Sequence, residues 1–442
     1  MRCLVGTSYV RRASLLVIFC SFCVLLQAEE LPSPTPAAAG TQIGSFDPAA
    51  ATEAWLESVP PEQRARADAY FEGGYWLILW NFLMAVAIFL FLLGSGISVR
   101  LRDLSERLSR VKPVQIAFCA IGFILIVSIL SFPLYAYEDF FRERAYGFAT
   151  RTFSSWLAEQ LVALFVQLVA GTVALVIIYS VIRRVTRAWW IWATGLAVLF
   201  LMIGNFLLPV FVEPLFNSYK PITDPKIRDP ILAMARANEI PAKQVFEVDA
   251  SRQTTRVSAN VAGFLGTTRI ALNDNLLKRC DLSEIRAVMG HEMGHYVLNH
   301  GAKLTVYFGL MALVGFGIAR LAFDWATNRW RNQLGIRGIA DPAALPLLAL
   351  IFAVFAFAIT PFINTAVRVT EREADAFGIN ASREPDGMAR VALKLGEYRK
   401  LDPSPLEEFF FFDHPSGHAR IRMAMDWKAA NVSSKNHDSP EP

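Results

Sequence analysis

Charged side chains are scarce in this chain. Asp, Glu, Lys and Arg make up 19% of its 442 residues, whereas hydrophobic residues make up 54%. Average soluble domains carry about 25% charged residues, and the mean hydropathy of +0.36 is high for a soluble protein. The formal net charge of +4 is too small to predict electrostatic binding to nucleic acid. These numbers favour a membrane protein that has no nucleic-acid partner.

Cysteine is also sparse. The five cysteines are scattered along the chain, and the only C-x-x-C spacing, between Cys20 and Cys23, lies inside an apolar run. This pattern argues against a disulfide framework and against a cysteine-ligated metal site.

The hydrophobic residues are concentrated in blocks of about 20 residues, the length that an α-helix needs to cross a bilayer. Trp and Tyr stand at several block ends, as at membrane interfaces, which argues against the alternative of buried helices in a soluble protein. The blocks cover residues 75–97, 114–135, 161–182, 189–212, 304–323 and 343–363. A further short apolar run within residues 1–28 follows three arginines and predicts either a signal peptide or a first membrane helix. We therefore expect six to seven transmembrane helices.

Two polar stretches remain between and after these blocks. A helix is expected over 224–238, and runs rich in β-formers at 244–250, 256–264 and 268–274 predict strands. The predicted fold is mainly α-helical, with one small β-sheet outside the membrane.

Histidine is rare as well, with six in the chain, yet the stretch HEMGH has the form H-E-x-x-H. Asp281 and Glu284 form a capping-box pattern, so we expect a helix over 282–300. On that helix His291 and His295 share one face and can bind a single tetrahedral metal ion. The motif therefore predicts a catalytic zinc site.

Such a site needs further residues. Glu292 does not bind the metal in this motif but acts as general base toward a metal-activated water. Zinc also requires a third protein ligand and an open fourth position. His300 follows His295 by five residues and would lie off its face on a continuous helix, so the third ligand is expected to be a carboxylate.

Residues 361–378 supply the carboxylate candidates. Four polar residues recur there at spacings of four, three and four, which places them on one stripe of a helix leaving the last apolar block. They are Asn364, Arg368, Glu371 and Asp375. Glu371 is the predicted ligand, Asp375 is predicted to accept the N–H of a ligating histidine, and Arg368 to hold the carboxylates. The alternative is a salt-bridged, solvated helix surface.

Residues 70–428 contain four motifs whose order along the chain resembles that of the type I CAAX prenyl proteases, which are integral-membrane gluzincin metallopeptidases. Besides H-E-x-G-H and N-x-x-x-R-x-x-E-x-x-x-D, they are SANVAGFLGTTRIALNDNLL (258–277) and HPSGHARI (414–421). The resemblance implies one zinc ion bound by His291, His295 and Glu371, with Glu292 as the base.

The resemblance also implies two substrate-facing residues. His414 would lie near the metal and stabilise the developing oxyanion or position the substrate. Asn260 would lie on or near an edge strand that receives an extended peptide. The implied partners are the lipid bilayer and peptide or protein substrates, lipidated ones included; oligomeric state is left open.

The loop charges predict which side of the membrane holds the site. Basic residues are concentrated in the loops 98–113, 183–187 and 324–342, so the positive-inside rule makes these loops cytoplasmic. The site then lies in the periplasm of a bacterial inner membrane. Eukaryotic relatives imply the cytosolic side instead, but the signal-like N-terminus and the lack of an ER retention ending favour a bacterial source.

Two other functions remain open. One is a heat-shock-type membrane protease for quality control, with related zinc chemistry but usually fewer spans. The other is a transporter or scaffold that has kept a zinc site without peptidase activity, although polar residues such as Gln167 and Asn205 are too few to outline a transport path.

The expected organisation combines these assignments. In chain order it comprises a signal peptide or first span (1–28), a linker with a short amphipathic helix (29–74), four spans (75–213), the first catalytic part (214–303), a two-span hairpin (304–363), the second catalytic part (364–428) and a disordered tail (429–442).

Overall fold

The structure is a computed structural model that describes residues 46–207, 212–263 and 268–432. The expected signal peptide or first span lies outside the described residues, as do the first part of the expected linker and the tail from residue 433. Residues 429–432, which were expected in the tail, belong instead to the last helix, Gly417–Val432.

The N-terminal half of the described chain is helical. Its helices are α1 (Pro48–Glu57), α2 (Pro61–Gly94), α3 (Ile97–Leu108), α4 (Lys112–Ala136), α5 (Phe153–Arg184) and α6 (Trp189–Leu207), with a π-helical turn at Tyr137–Arg142 and a short turn at Glu143–Ala145. Part of the expected linker is therefore α1, which is capped by the Asp47 side chain. The expected amphipathic helix and first span form a single helix, α2, which continues through Gly73 and Gly74. Each glycine lowers helix stability by only about 1 kcal/mol relative to alanine, so the pair does not end this long packed helix.

The C-terminal half contains the remaining elements. The strands are β1 (Tyr219–Pro221), β2 (Val245–Val248), β3 (Ala259–Ala262) and β4 (Arg269–Asn273). The helices are α7 (Pro225–Ala237), α8 (Asp274–Arg279), α9 (Leu282–Val297), α10 (His300–Arg329), α11 (Leu345–Ser382), α12 (Pro385–Leu395), α13 (Pro405–Phe411) and α14 (Gly417–Val432). Short turns of helix stand at Glu213–Leu215, Ala250–Arg252, Arg331–Leu334 and Pro342–Ala344.

Five helices in the described residues are long and apolar enough to cross a membrane, and one shorter apolar helix covers Trp189–Gly204. The five are Pro61–Gly94, Lys112–Ala145, Phe153–Arg184, His300–Arg329 and Pro342–Ser382. Each of these six segments overlaps one of the six apolar blocks predicted from the sequence.

The β-sheet has the strand order β1-β2-β4-β3, with β2 and β4 parallel and the other two pairs antiparallel. The three predicted strands are present, and the three-residue β1 is an addition that its short sequence did not reveal. The sheet packs against α7 and α9 through a core that includes Ile231, Ile270, Leu272, Met289 and Met293. Strand β3 lies at one edge of the sheet, beside α9.

The two spans α10 and α11 link the two catalytic parts. Phe316 of α10 stacks edge-to-face on Phe352 of α11, in a core that also includes Trp189 of α6. Helix α11 continues for 38 residues, from the apolar block into the predicted carboxylate stripe. The membrane hairpin therefore returns the chain to α9 and presents Glu371 there.

Candidate metal centre

The helix that carries H-E-x-x-H begins with the predicted capping box. The Asp281 carboxylate accepts from the Glu284 backbone N–H at 2.9 Å, and Glu284 accepts from the Asp281 N–H at 2.7 Å. Ile285, Met289 and Met293 follow at four-residue intervals and are fully buried in the core under the sheet. This packing fixes the rotation of α9 and turns the two histidines toward α11.

The structure brings the three predicted ligands together. The Nε2 atoms of His291 and His295 lie 3.1 Å apart. His291 Nε2 lies 3.3 Å from Glu371 Oε2, and His295 Nε2 lies 3.4 Å from Glu371 Oε1. His295 and Glu371 are buried, and His291 is partly buried. Among the described residues this is the one cluster of His, Cys, Asp and Glu able to hold a metal ion.

These residues fit zinc. Ligand atoms at 2.0–2.1 Å from a tetrahedral ion stand about 3.3 Å from one another. The 3.1 Å between the two histidine nitrogens and the 3.3 and 3.4 Å from each nitrogen to one oxygen of Glu371 are close to this spacing. Burial lowers the pKa of His295 to about 4, since a dry environment disfavours the charged imidazolium. The histidine therefore stays neutral, which is the form that binds a metal.

Asp375 lies beside the first histidine. Its Oδ1 lies 2.8 Å from His291 Nδ1, and a carboxylate can only accept, so His291 donates from Nδ1 and its Nε2 lone pair faces the ligand triangle. The other oxygen of Asp375 accepts from Arg420 Nε at 2.8 Å, and Arg420 Nη2 lies 3.5 Å from Glu371.

The predicted role of Arg368 is wrong, and Asn364 of the same stripe also contacts another segment. Arg368 donates to the backbone carbonyls of Glu408 and Phe412, and Asn364 donates to the carbonyl of Phe410. Both side chains leave α11 toward α13 and hold that segment. Arg420 of the HPSGHARI element binds the carboxylates instead, although nothing in its own spacing on α14 pointed to α11.

Sequence reasoning also missed His300. Helix α9 ends at Val297, Asn299 adopts a left-handed conformation with φ of 52°, and α10 restarts at His300. The expected single helix through residue 300 is therefore two helices. The break between them brings the His300 ring to the site, where its Nδ1 lies 2.9 Å from His295 Nδ1. The Asn299 residue type was the available signal, since asparagine tolerates this conformation well.

Glu292 and His414 adjoin the ligand triangle. Glu292 is buried and lines a cavity together with His291. His414 Nε2 lies 3.2 Å from Glu371, and its Nδ1 lies 2.7 Å from Asp413. Burial and the nearby Arg399 disfavour the imidazolium of His414, but Glu371 and Asp413 outweigh them and raise its pKa to about 9. A bound cation would reduce this value by repulsion.

Asn260 lies in the middle of the edge strand β3, paired with Ala271 of β4. Its side-chain oxygen is buried and has no hydrogen-bond partner among the residues that the structure describes. Both its position on the edge strand and its unpaired side-chain oxygen suit a residue that contacts an extended peptide.

The comparisons with known proteins agree with this geometry. Residues 221–428 match peptidase family M48, and residues 49–218 match the CAAX prenyl protease N-terminal family of five membrane helices. YhfN of Bacillus subtilis, described as an uncharacterized metalloprotease, is 31% identical over 374 residues, covering 82% of this chain and 86% of that protein. The chain belongs to peptidase family M48.

The chain is also similar to two eukaryotic proteins at lower identity. A CAAX prenyl protease 1 homolog of Arabidopsis thaliana is 26% identical over 306 residues, covering 66% of this chain and 69% of that protein. The crystal structure of S. mikatae Ste24p shares the fold, with a TM-score of 0.69 and 18% identity over 85% of this chain and 94% of that one. The predicted fold class is confirmed, and so is the predicted zinc metalloprotease in a multi-pass membrane protein.

Proposed function

We propose that this M48 member is an endopeptidase that holds one zinc ion on His291, His295 and Glu371 and uses Glu292 as its general base. The observation that carries the proposal is the cluster of two imidazole nitrogens and one carboxylate, whose spacing is close to that of the ligands of a tetrahedral ion. A zinc ion bound there supplies Lewis-acid polarisation of a water molecule and of the scissile carbonyl.

The protein residues carry the proton transfers. Glu292 accepts a proton from the attacking water and later delivers it to the leaving amine. His414 is held by Asp413 with its Nε2 toward the ligand triangle, where it donates to the developing oxyanion. Substrate backbone pairs with the free edge of β3, and Asn260 contacts it there.

The substitution Glu292→Gln tests the general base. We expect zinc content to stay at one ion per chain, while the rate of peptide cleavage falls about 10²–10⁴-fold. Glu53→Gln, at an exposed position on α1, is the matched control and should keep the full rate. A Glu292→Gln enzyme that cleaves at the normal rate would refute the assignment.

Metal analysis separates the peptidase from a non-catalytic zinc protein. Purified enzyme is expected to contain one zinc per chain, to lose both metal and cleavage with a strong chelator, and to recover both on zinc addition. Zinc without any chelator-sensitive cleavage of a generic peptide would support a scaffold or transporter instead.

The loop charges lead us to place the site on the periplasmic side of a bacterial inner membrane. The loop 98–113 carries five basic residues. Arg102 of α3 donates to the Gly335 carbonyl, and Arg337 donates to Glu106 of α3, which supports placing the loops 98–113 and 324–342 on the same side. Alkaline phosphatase fused to the C-terminus should be active in this orientation, and an inactive but stable fusion would reverse it.

The substrates are inferred to be membrane-associated proteins, with lipidated ones included because several relatives are described as CAAX prenyl proteases. The site lies at the ends of the membrane helices α10 and α11, where such proteins are concentrated. Comparing membrane proteomes of cells expressing wild-type and Glu292→Gln enzyme should reveal substrates that accumulate uncut in the variant.

A further inference from the structure

Helix α13 presents an apolar face that the rest of the described chain leaves largely exposed. Leu406 is 71% exposed, Phe410 46% and Phe409 37%. Spacings of three and four residues place these three side chains on one side of the helix. Exposed apolar side chains that adjoin one another in this way mark an interaction surface rather than a surface in contact with water alone.

Helix α13 is held by two membrane helices at the level where both leave the bilayer. The Phe411 ring stacks on Tyr75 of α2 with ring centroids 3.8 Å apart, and the Phe409 ring stands edge-on to Phe362 of α11 with centroids 6.2 Å apart. Tyr75 is the first residue of one apolar block, and Phe362 is the penultimate residue of another. Helix α13 therefore lies at the boundary between hydrocarbon and water on both spans.

The charged side of α13 is matched on the water side of that boundary. Glu407 accepts from Lys400 Nζ at 2.8 Å, and Lys400 also donates to Glu72 at 2.7 Å. Glu72 stands on α2 about one turn before its apolar block begins. This arrangement suits a helix that lies in the plane of the interface, because such helices turn charged side chains to water and bury Leu and Phe among the lipids.

Helix α13 also leads directly to the proposed oxyanion donor. Two residues separate its end from His414, whose Nε2 lies 3.2 Å from Glu371. Arg368 of α11 donates to the carbonyls of Glu408 and Phe412 at 2.7 and 2.5 Å, so both α13 and the segment after it are held on α11. A shift of α13 would therefore move His414 relative to the ligand triangle.

We propose that α13 is an interfacial helix whose Leu406, Phe409 and Phe410 side chains insert into the bilayer surface, and that this lipid contact sets the position of His414. Leu406 and Phe410 are positioning residues, since they act on the reaction through His414. The lipid contact does not depend on the proposed peptidase function, whereas its effect through His414 rests on that function.

Fluorescence quenching tests the lipid contact on the full-length protein in nanodiscs. A fluorescent amino acid replaces Leu406 or, as a matched control, Leu282, which is 41% exposed in the first turn of α9. Arg286 donates to the Ser382 carbonyl and so places that turn beside the end of α11. Twenty residues of helix separate this end from Phe362, a distance of about 30 Å from the predicted membrane boundary.

The two fluorophores should respond to opposite quenchers. Lipids that carry a nitroxide near the headgroup should quench the fluorophore at position 406, and aqueous iodide should not reach it. The fluorophore at position 282 should show the reverse. Quenching at position 406 by iodide and not by the spin-labelled lipids would overturn the proposal. Quenching that appears only when a spin-labelled lipopeptide is added would also overturn it, because that result assigns the face to a lipidated substrate.

The double substitution Leu406→Gln with Phe410→Gln tests the effect on His414. For a soluble peptide without a lipid group in nanodiscs, we expect kcat to fall about three- to tenfold with KM unchanged, because a displaced oxyanion donor loses part of its full effect of about 10²–10³-fold. Zinc content and Tm should equal those of the wild type. Leu282→Gln is the matched control and should keep the full rate.

The His414→Ala background distinguishes positioning from a general structural effect. There the double substitution should cause no further loss of kcat, because the group that it displaces is already absent. An additional loss of the same size in this background, or an unchanged kcat in the double variant alone, would overturn the coupling to His414. A wild type that cleaves no peptide would refute the peptidase function itself, and the quenching result would still decide the lipid contact.

Discussion

His300 Nδ1 lies 2.9 Å from His295 Nδ1, and the opposite nitrogen of His300 lies 3.0 Å from Glu373 Oε2. Since Glu373 can only accept, His300 donates from Nε2 and accepts at Nδ1. His295 then donates from its own Nδ1 and keeps its Nε2 lone pair for the ligand triangle. Lys303 Nζ donates to the two carboxylate oxygens of Glu373 at 2.5 and 2.7 Å and so fixes the carboxylate that orients His300.

This relay predicts the effect of His300→Leu. Loss of the acceptor leaves the orientation and tautomer of His295 unsupported, so zinc affinity should fall about 10–100-fold. His300→Gln keeps an acceptor oxygen, so its zinc affinity should lie between those of the wild type and His300→Leu. The measurement is competition for zinc between the purified protein and a chelator. His418→Leu, at a partly exposed residue that pairs with Asp402, should bind zinc normally, and an unchanged affinity in His300→Leu would contradict the relay.

The crossing of α9 and α11 predicts that Gly378→Ala is strongly destabilising. A Cβ at Gly378 would stand 2.6 Å from the His291 backbone nitrogen, and one at Gly290 would stand 2.6 Å from the Gly378 carbonyl oxygen. The helices must separate to admit a methyl group, at a cost of about 1–3 kcal/mol. Thermal unfolding should show a lower Tm together with weaker zinc binding.

Gly74→Ala is the matched control for that crossing. A Cβ at Gly74 meets no atom within 4 Å, and the residue lies inside α2. Alanine has the higher helix propensity, so this variant should be neutral or slightly stabilised. Equal melting temperatures for the two alanine variants would show that the close approach is not needed.

The pair Arg420→Gln and Arg368→Gln separates the observed arrangement from the one predicted by spacing. Arg420→Gln leaves the buried Asp375 carboxylate without its guanidinium, so stability should fall by about 3–5 kcal/mol and zinc affinity should drop with it. Arg368→Gln should retain zinc and instead make residues 405–412 sensitive to limited proteolysis. Zinc loss in Arg368→Gln alone would favour the sequence-based assignment.

A buried ion pair at the far end of α11 predicts a stability effect independent of the metal. Arg102 of α3 donates to Asp341 at 2.8 Å, and Asp341 also accepts from the backbone N–H groups of Arg337 and Ala343. Arg102→Leu leaves the buried Asp341 carboxylate without its cationic partner, so the Tm should fall. Zinc stoichiometry should be unchanged in the folded protein.

The exposed neighbour Arg100 provides the control for that pair. Arg100→Leu should leave the Tm close to that of the wild type. A similar drop in both variants would show that loop charge in general, not the Arg102–Asp341 pair, stabilises this end of the bundle.

The sequence by itself determined the features that depend on neighbours within a few residues. The apolar blocks predicted the spans because bilayer thickness sets helix length. The capping box at Asp281 and the four-residue spacing of His291 and His295 predicted the metal-binding face because helix periodicity is local. Glu371 was found by the same argument, since its stripe continues the last apolar block.

Only the tertiary structure decided which side chains support those ligands. Arg420 replaces Arg368 because the position of α14 against α11 depends on packing among helices distant in sequence. His300 reaches His295 because one left-handed residue, Asn299, breaks a helix that periodicity alone would continue. Contacts of this kind depend on crossing angles and chain breaks, and local sequence patterns do not encode them.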